Sequence, residues 1–111
     1  MIKREIFIPI VFADEVPPDV IREICAGLEE EGVPYQTQQW VKASPADRPG
    51  VMAAYSSPMH VSIGVDTFGS LALYHDKLDQ GQPYLQDKVE HARRVGKNAA
   101  RLVKGLPLYL T

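Results

Sequence analysis

The sequence predicts an α/β fold, namely a single three-layer α/β/α domain with a mixed sheet of about five strands. Three observations support this prediction. Strand-like segments alternate with helix-like segments along the chain. The first strand-like segment is apolar almost throughout, which is typical of a strand covered on both faces. The 111 residues, 45% of them hydrophobic, match the size of one domain, so we expect a single domain at 1–111.

Local signals predict each element. The first helix has Pro17-Pro18 where proline suits a first turn, and Gly32 where a left-handed residue ends a helix. The last helix repeats apolar residues at spacings of three and four. The predicted strands are mostly apolar or combine aromatic and β-branched residues. In chain order we expect a strand at 5–12, a helix at 14–32, a strand at 35–41, a loop at 42–50, a short helix at about 51–56, a hairpin of strands at 60–65 and 70–74, a loop at 76–86, a helix at about 87–104 and a terminal edge strand at 106–110.

The composition excludes several classes of protein. Twelve lysines and arginines against 14 acids, a net charge of −2, exclude a strongly basic nucleic-acid-binding protein. A single cysteine, Cys25, excludes an internal disulfide framework and a multi-cysteine zinc site. No apolar run approaches the ~20 residues that span a bilayer, and the N-terminus lacks the pattern of a secretory signal. We therefore expect a cytoplasmic protein with neither a nucleic-acid nor a membrane partner.

Charge is distributed unevenly between the two predicted long helices. Residues 1–41 contain eight acids and three bases, whereas residues 88–104 contain six bases and one acid. Oppositely charged helices on one small domain favour electrostatically oriented docking on a partner. Two solvated helix faces are the alternative interpretation. On the docking hypothesis, the candidate basic contacts are Arg93, Arg94, Lys97 and Arg101.

The sequence contains no recognisable catalytic constellation. His60, His75 and His91 are isolated from one another in the sequence, and Cys25 lies on the apolar stripe of the first helix. The glycines match neither a dinucleotide-binding fingerprint nor a P-loop. We therefore expect no catalytic residue and no cofactor of the chain's own.

An acidic triplet, Glu29-Glu30-Glu31, lies at the end of the first helix, where acids oppose the helix dipole. Two interpretations remain open. The triplet is either a solubilising cap or a set of carboxylates held for an external cation, such as a divalent metal or a partner's arginine or lysine. Consecutive helical residues point about 100° apart, so one partner engages only one or two of the three.

Three segments, taken in order, resemble a known family. They are Gly27-Leu28-Glu29-Glu30-Glu31-Gly32-Val33-Pro34, then Ala54-Tyr55-Ser56-Ser57-Pro58 leading into Val61-Ser62-Ile63-Gly64, then Gly96 to Pro107. Their order and spacing resemble the small subunit of the coenzyme B12-dependent diol and glycerol dehydratase reactivating factors. The resemblance extends over roughly residues 20–108.

This resemblance implies a function without chemistry of the chain's own. In that family the small subunit pairs with a large ATPase subunit, which carries ATP or ADP and Mg²⁺. It also exchanges with the medium subunit of an inactivated dehydratase, on the dehydratase large subunit, so that damaged cobalamin is released. The resemblance implies that Glu30 joins the Mg²⁺ coordination in the partner. It leaves open whether the client enzyme uses glycerol or propane-1,2-diol, and whether the protein resides in a bacterial microcompartment.

Two alternative functions are considered beside the reactivating-factor subunit. A dehydratase medium subunit shares the fold and would help to hold cobalamin, although such subunits are longer. A small stand-alone protein-binding module would use the same charged helices without belonging to a reactivating factor.

Overall fold

A five-stranded mixed sheet lies at the centre of the computed structural model, which describes residues 6–13, 15–40, 59–65, 69–77 and 83–110. The elements are β1 (Ile8–Ala13), α1 (Pro18–Glu30), β2 (Tyr35–Trp40), β3 (Val61–Val65), β4 (Ser70–His75), β5 (Leu85–Lys88) and α2 (Ala92–Lys104). A short 3₁₀ turn, Val89–His91, precedes α2. The strand order in the sheet is β2-β1-β3-β4-β5.

The sheet is parallel on one side and antiparallel on the other. Strand β1 runs parallel to both β2 and β3, with Ile10 opposite Thr37 on one side and Ile63 on the other. Strands β3, β4 and β5 pair antiparallel, so that Leu73 lies opposite both Ile63 and Leu85. The predicted α/β fold with a mixed five-stranded sheet is thereby confirmed.

Both faces of the sheet are buried at its three central strands, β1, β3 and β4. On one face, Ile63 and Leu73 belong to the main core, which they share with residues of α1 and α2. On the other face, Val11, Gly64 and Ala72 lie opposite one another in register and are buried as well. The nearly continuous apolar strands of the sequence therefore reflect coverage from two sides.

The fifth strand is not the one that the sequence predicted. The terminal strand expected at 106–110 is wrong, because residues 106–110 form no strand. The fifth strand is Leu85–Lys88, in a region predicted to be a loop and the start of a helix. Four residues with alternating exposure are too short a signal to stand out in a sequence. The short helix predicted at about 51–56 and the loop at 42–50 lie outside the described residues.

The two helices end in the same way. Gly32 and Gly105 adopt left-handed backbone angles, with φ of 74° and 73°. At each end the glycine N–H and the next N–H donate to carbonyls of the last helical turn. This arrangement satisfies carbonyl groups that the helix itself leaves without partners. The predicted stop of the first helix at Gly32 is thus confirmed.

The backbones of α1 and α2 touch at a pair of glycines. A side chain at Gly27 would collide with the backbone carbonyl of Arg93 on α2. A side chain at Gly96 would collide with the backbone carbonyl of Ile24 on α1. The approach is reciprocal, so neither position accepts even a methyl group without moving a helix. The bare backbone at Gly96 therefore packs inside the chain, against its own first helix.

We expect Gly96→Ala to destabilise the protein. Replacing glycine by alanine in a helix interior ordinarily stabilises the helix by up to about 1 kcal/mol. Here the added methyl group meets backbone, and we expect the free energy of unfolding to fall by about 1–3 kcal/mol, the usual cost of overpacking. Urea unfolding followed by circular dichroism measures this, and Gly27→Ala serves as the reciprocal variant. An unchanged or increased free energy of unfolding in both variants would contradict the helix contact.

Candidate functional site

The close contact between α1 and α2 brings their opposite charges together. Arg93 Nη2 lies 3.0 Å from Glu23 Oε2, and Arg93 Nη1 lies 3.4 Å from Glu30 Oε1. Lys97 Nζ lies 3.1 Å from Glu30 Oε2. Glu30 therefore bridges two cations of α2. We call this row of interhelical ion pairs, from Glu23 to Glu31, the charge ladder.

The ladder continues to the end of α1. Arg101 Nε lies 3.7 Å from Glu31 Oε2, and the Lys104 ammonium donates a hydrogen bond to the Glu31 carbonyl oxygen. Cations at the carboxyl end of a helix interact favourably with its dipole. Since α1 has no basic residue in its own last turn, α2 supplies these cations. The acidic triplet is thus stabilised by its neighbour helix.

Glu29 is not part of the charge ladder, because its side chain bonds to β2. The Tyr35 hydroxyl donates a hydrogen bond of 2.5 Å to Glu29 Oε1. This bond to a carboxylate raises the pKa of Tyr35 above its ordinary value, because ionised tyrosine could not donate it. The carboxylates of the triplet therefore have different partners, as the helical rotation of about 100° per residue requires.

Arg94 is also held apart from the ladder. Its guanidinium donates two hydrogen bonds to Asp87 Oδ2, of 3.1 Å from Nε and 2.8 Å from Nη2. His91 Nδ1 lies 3.0 Å from Asp87 Oδ1 and 2.8 Å from Arg94 Nη2. The Asp87 carboxylate, largely buried, thus anchors the start of α2 to the last strand.

The residues after α2 fold back along that helix. Asn98, whose side chain is fully buried, donates from Nδ2 to the Tyr109 carbonyl oxygen at 2.8 Å and accepts from the Tyr109 N–H at 2.7 Å. Arg101 donates to the Pro107 carbonyl oxygen at 3.1 Å and to the Tyr109 hydroxyl at 2.7 Å. We call residues 105–110 the C-terminal tail. Side chains of α2, and no strand ladder, hold this tail in place.

The remaining candidates do not assemble into a catalytic site in the described part of the chain. His60 Nδ1 lies 2.5 Å from Asp76 Oδ2, and His75 Nδ1 accepts a hydrogen bond from the Lys77 N–H. The first of these contacts joins the two ends of the β3–β4 hairpin, and the second is local to the end of β4. Burial raises the pKa of the Cys25 thiol, which keeps the reactive thiolate scarce at neutral pH.

Within ranges 6–13, 15–40, 59–65, 69–77 and 83–110, no three His, Cys, Asp or Glu side chains come together as a metal site. Among the helices described here, none is both long and apolar enough to cross a membrane.

Of the seven residues predicted from the sequence as partner contacts, the structure joins five in the charge ladder. They are Glu30, Glu31, Arg93, Lys97 and Arg101. The other two, Glu29 and Arg94, are held by Tyr35 and Asp87. Sequence reasoning missed Asp87, which lies in β5 and reaches His91 and Arg94 across the junction between that strand and α2.

The α/β fold and its charged helix pair can now be compared with known protein families. The family model described as "Dehydratase medium subunit" matches residues 7–109. The chain belongs to the dehydratase medium subunit family.

Individual relatives narrow this class. The chain is 36% identical over 104 residues, 88% of this chain and 86% of the relative, to the propanediol dehydratase-reactivating factor small subunit of Citrobacter freundii. The solved structure titled "Glycerol dehydratase reactivase" is 35% identical, covers 95% of this chain and 97% of its own, and superposes with a TM-score of 0.87. A diol dehydratase-reactivating factor complexed with ADP and Mg²⁺ is 32% identical, covers 96% and 99%, and has a TM-score of 0.82. The resemblance found in the sequence is confirmed.

We expect the ion pairs of the charge ladder to contribute little to stability. Their side chains are partly exposed, and such pairs are worth about 0.2–1 kcal/mol. A double-mutant cycle between Glu30→Gln and Lys97→Met should give a coupling free energy below about 1 kcal/mol, and one that decreases as salt is added. Thermal unfolding at low and high NaCl measures it. A coupling of several kcal/mol, insensitive to salt, would contradict this description of the ladder.

Proposed function

We propose that this protein is the non-catalytic small subunit of a chaperone-like factor that reactivates diol or glycerol dehydratase. The observation that carries the proposal is the similarity to named reactivating-factor small subunits over nearly the whole chain, in sequence and in fold. The arrangement of the described side chains supports it as well. The charged groups of α1 and α2 pair with one another across a helix contact and remain partly exposed, so they are accessible to a partner.

In this proposal the protein works by taking the place of another subunit. Its family is named for the dehydratase medium subunit, whereas the relatives cited above are parts of reactivating factors. A shared fold supports competition for one docking place on the dehydratase large subunit. The exchange would loosen the inactivated dehydratase and release its damaged cobalamin.

The proposed partner within the factor is a large ATPase subunit. The solved relative complexed with ADP and Mg²⁺ supports nucleotide binding in such a factor. The described part of this chain holds no cluster of metal ligands, so Mg²⁺ would need most of its ligands from the partner and the nucleotide. Glu30 fits the role of a contributed ligand, because its carboxylate is a hard oxygen donor and its side chain is 42% exposed.

Glu30 would have to exchange partners to fill that role. In the free chain both of its oxygens face cations of α2, one from Arg93 and one from Lys97. Both pairs are partly exposed, so each is worth at most about 1 kcal/mol. A divalent cation held in a partner's site would outcompete them. The ladder thus keeps Glu30 oriented while the subunit is alone, at a small cost when it docks.

The proposal is tested by reconstitution. The chain is co-expressed with a reactivating-factor large subunit, and the complex is assayed for release of inactive cobalamin from inactivated dehydratase in the presence of ATP and Mg²⁺. We expect co-purification and restored dehydratase activity. If the chain instead co-purifies with dehydratase subunits as a permanent component of active enzyme, it is a medium subunit. If it binds neither, the proposal is wrong.

We expect Glu30→Ala to weaken binding to the ADP- and Mg²⁺-loaded large subunit by at least about tenfold, through loss of one metal ligand. Glu23→Ala is the matched control, because Glu23 pairs with the same Arg93 at similar exposure. Titration calorimetry with and without nucleotide measures both variants. Equal affinities for Glu30→Ala, Glu23→Ala and wild type would exclude Glu30 as the ligand.

A further inference from the structure

The C-terminal tail exposes an unusual share of the large apolar side chains. Within the described residues, five large apolar side chains are exposed, and three of them belong to the tail. They are Leu106 at 45%, Tyr109 at 41% and Leu110 at 68% exposure. Single exposed apolar residues are ordinary, but a concentration of them indicates an interaction surface.

The tail is fixed in spite of this exposure. The fully buried Asn98 side chain makes both of its hydrogen bonds shown in the structure with the backbone of Tyr109. The Arg101 guanidinium lies 4.3 Å from the centre of the Tyr109 ring and also bonds the Tyr109 hydroxyl. A segment without helix or strand that buries little apolar surface gains little from being ordered. The use of the buried Asn98 amide to hold such a segment is explained if the tail presents its exposed side chains to a binding partner.

The tail also adjoins the charge ladder. Lys97 Nζ, which pairs with Glu30, lies 5.8 Å from the centre of the Tyr109 ring. Arg101, which contacts the same ring, pairs with Glu31. The Tyr109 ring and the cations of α2 line a groove of about 320 Å³. The exposed apolar tail and the carboxylate proposed to reach the partner therefore belong to one continuous surface.

We propose that the C-terminal tail is an apolar docking segment for the large subunit of the reactivating factor, positioned by Asn98 and Arg101 beside Glu30. This inference rests on the proposed function. It adds an apolar contact with the large subunit to the charged contact proposed for Glu30. The occupant is the large subunit because the tail continues the surface on which Glu30 lies. Leu106 and Leu110 would bury their side chains against it, and Asn98 is a positioning residue.

The test compares exposed apolar residues inside and outside the tail. We expect Leu110→Ser and Leu106→Ser each to weaken binding to the purified large subunit by about tenfold, since burying a leucine is worth that factor or more. Tyr84→Ser is the matched control. The exposed fraction of Tyr84, 46%, is nearly the same as that of Leu106, but Tyr84 lies outside the tail, just before β5. All three substitutions are at exposed sites and should leave the thermal unfolding midpoint unchanged.

The positioning role has its own readout. Asn98→Ala should increase hydrogen exchange at the Tyr109 amide, which loses its acceptor, and should weaken binding although both leucines remain. If Asn98→Ala fails to fold, the leucine variants alone decide the question.

The outcomes separate this inference from the proposed function. If wild type binds the large subunit and the leucine variants bind as tightly as the Tyr84→Ser control, the tail inference is wrong and the proposed function stands. If wild type does not bind, both are wrong. If the leucine variants lose only self-association of the chain, measured by analytical ultracentrifugation, the occupant is a second copy and the inference is again wrong.

Discussion

The backbone contact between α1 and α2 is the constraint on which the rest of the described structure depends. Gly27 and Gly96 lack side chains at the crossing point, so each helix lies against a carbonyl of the other. At that separation the acidic side chains of α1 reach the basic side chains of α2 across the contact. A methyl group at either glycine would push the helices apart at the crossing point, beside the ion pairs of Arg93 and Lys97.

The ladder explains how strongly opposite charges coexist on so small a protein. Three consecutive glutamates at the carboxyl end of α1 would repel one another and oppose the helix dipole. The structure offsets this by distributing them among Arg93, Lys97, Arg101 and the Tyr35 hydroxyl. Exposed pairs of this kind add little stability but orient their side chains. Orientation of Glu30 is the property that the proposed function uses.

The C-terminal tail is the second feature of this surface, beside the charge ladder. It is held by a buried amide and an arginine, which are parts of the same helix that carries the ladder. One helix, α2, therefore positions a charged row and an apolar segment side by side. Such a combination, an apolar patch bordered by charge, is the usual anatomy of a protein–protein interface. It is consistent with a protein that acts by docking.

The sequence by itself determined the α/β class, the carboxyl end of α1 and the two strands flanking that helix, because these depend on local periodicity and on residues such as Gly32 that require particular backbone angles. It also contained the family resemblance. Only the tertiary structure decided that α1 and α2 neutralise each other, that Leu85–Lys88 is the fifth strand, and that residues 106–110 are a tail held by Asn98. These features depend on contacts between residues distant in sequence, such as the 70 positions between Glu23 and Arg93, which local patterns do not encode.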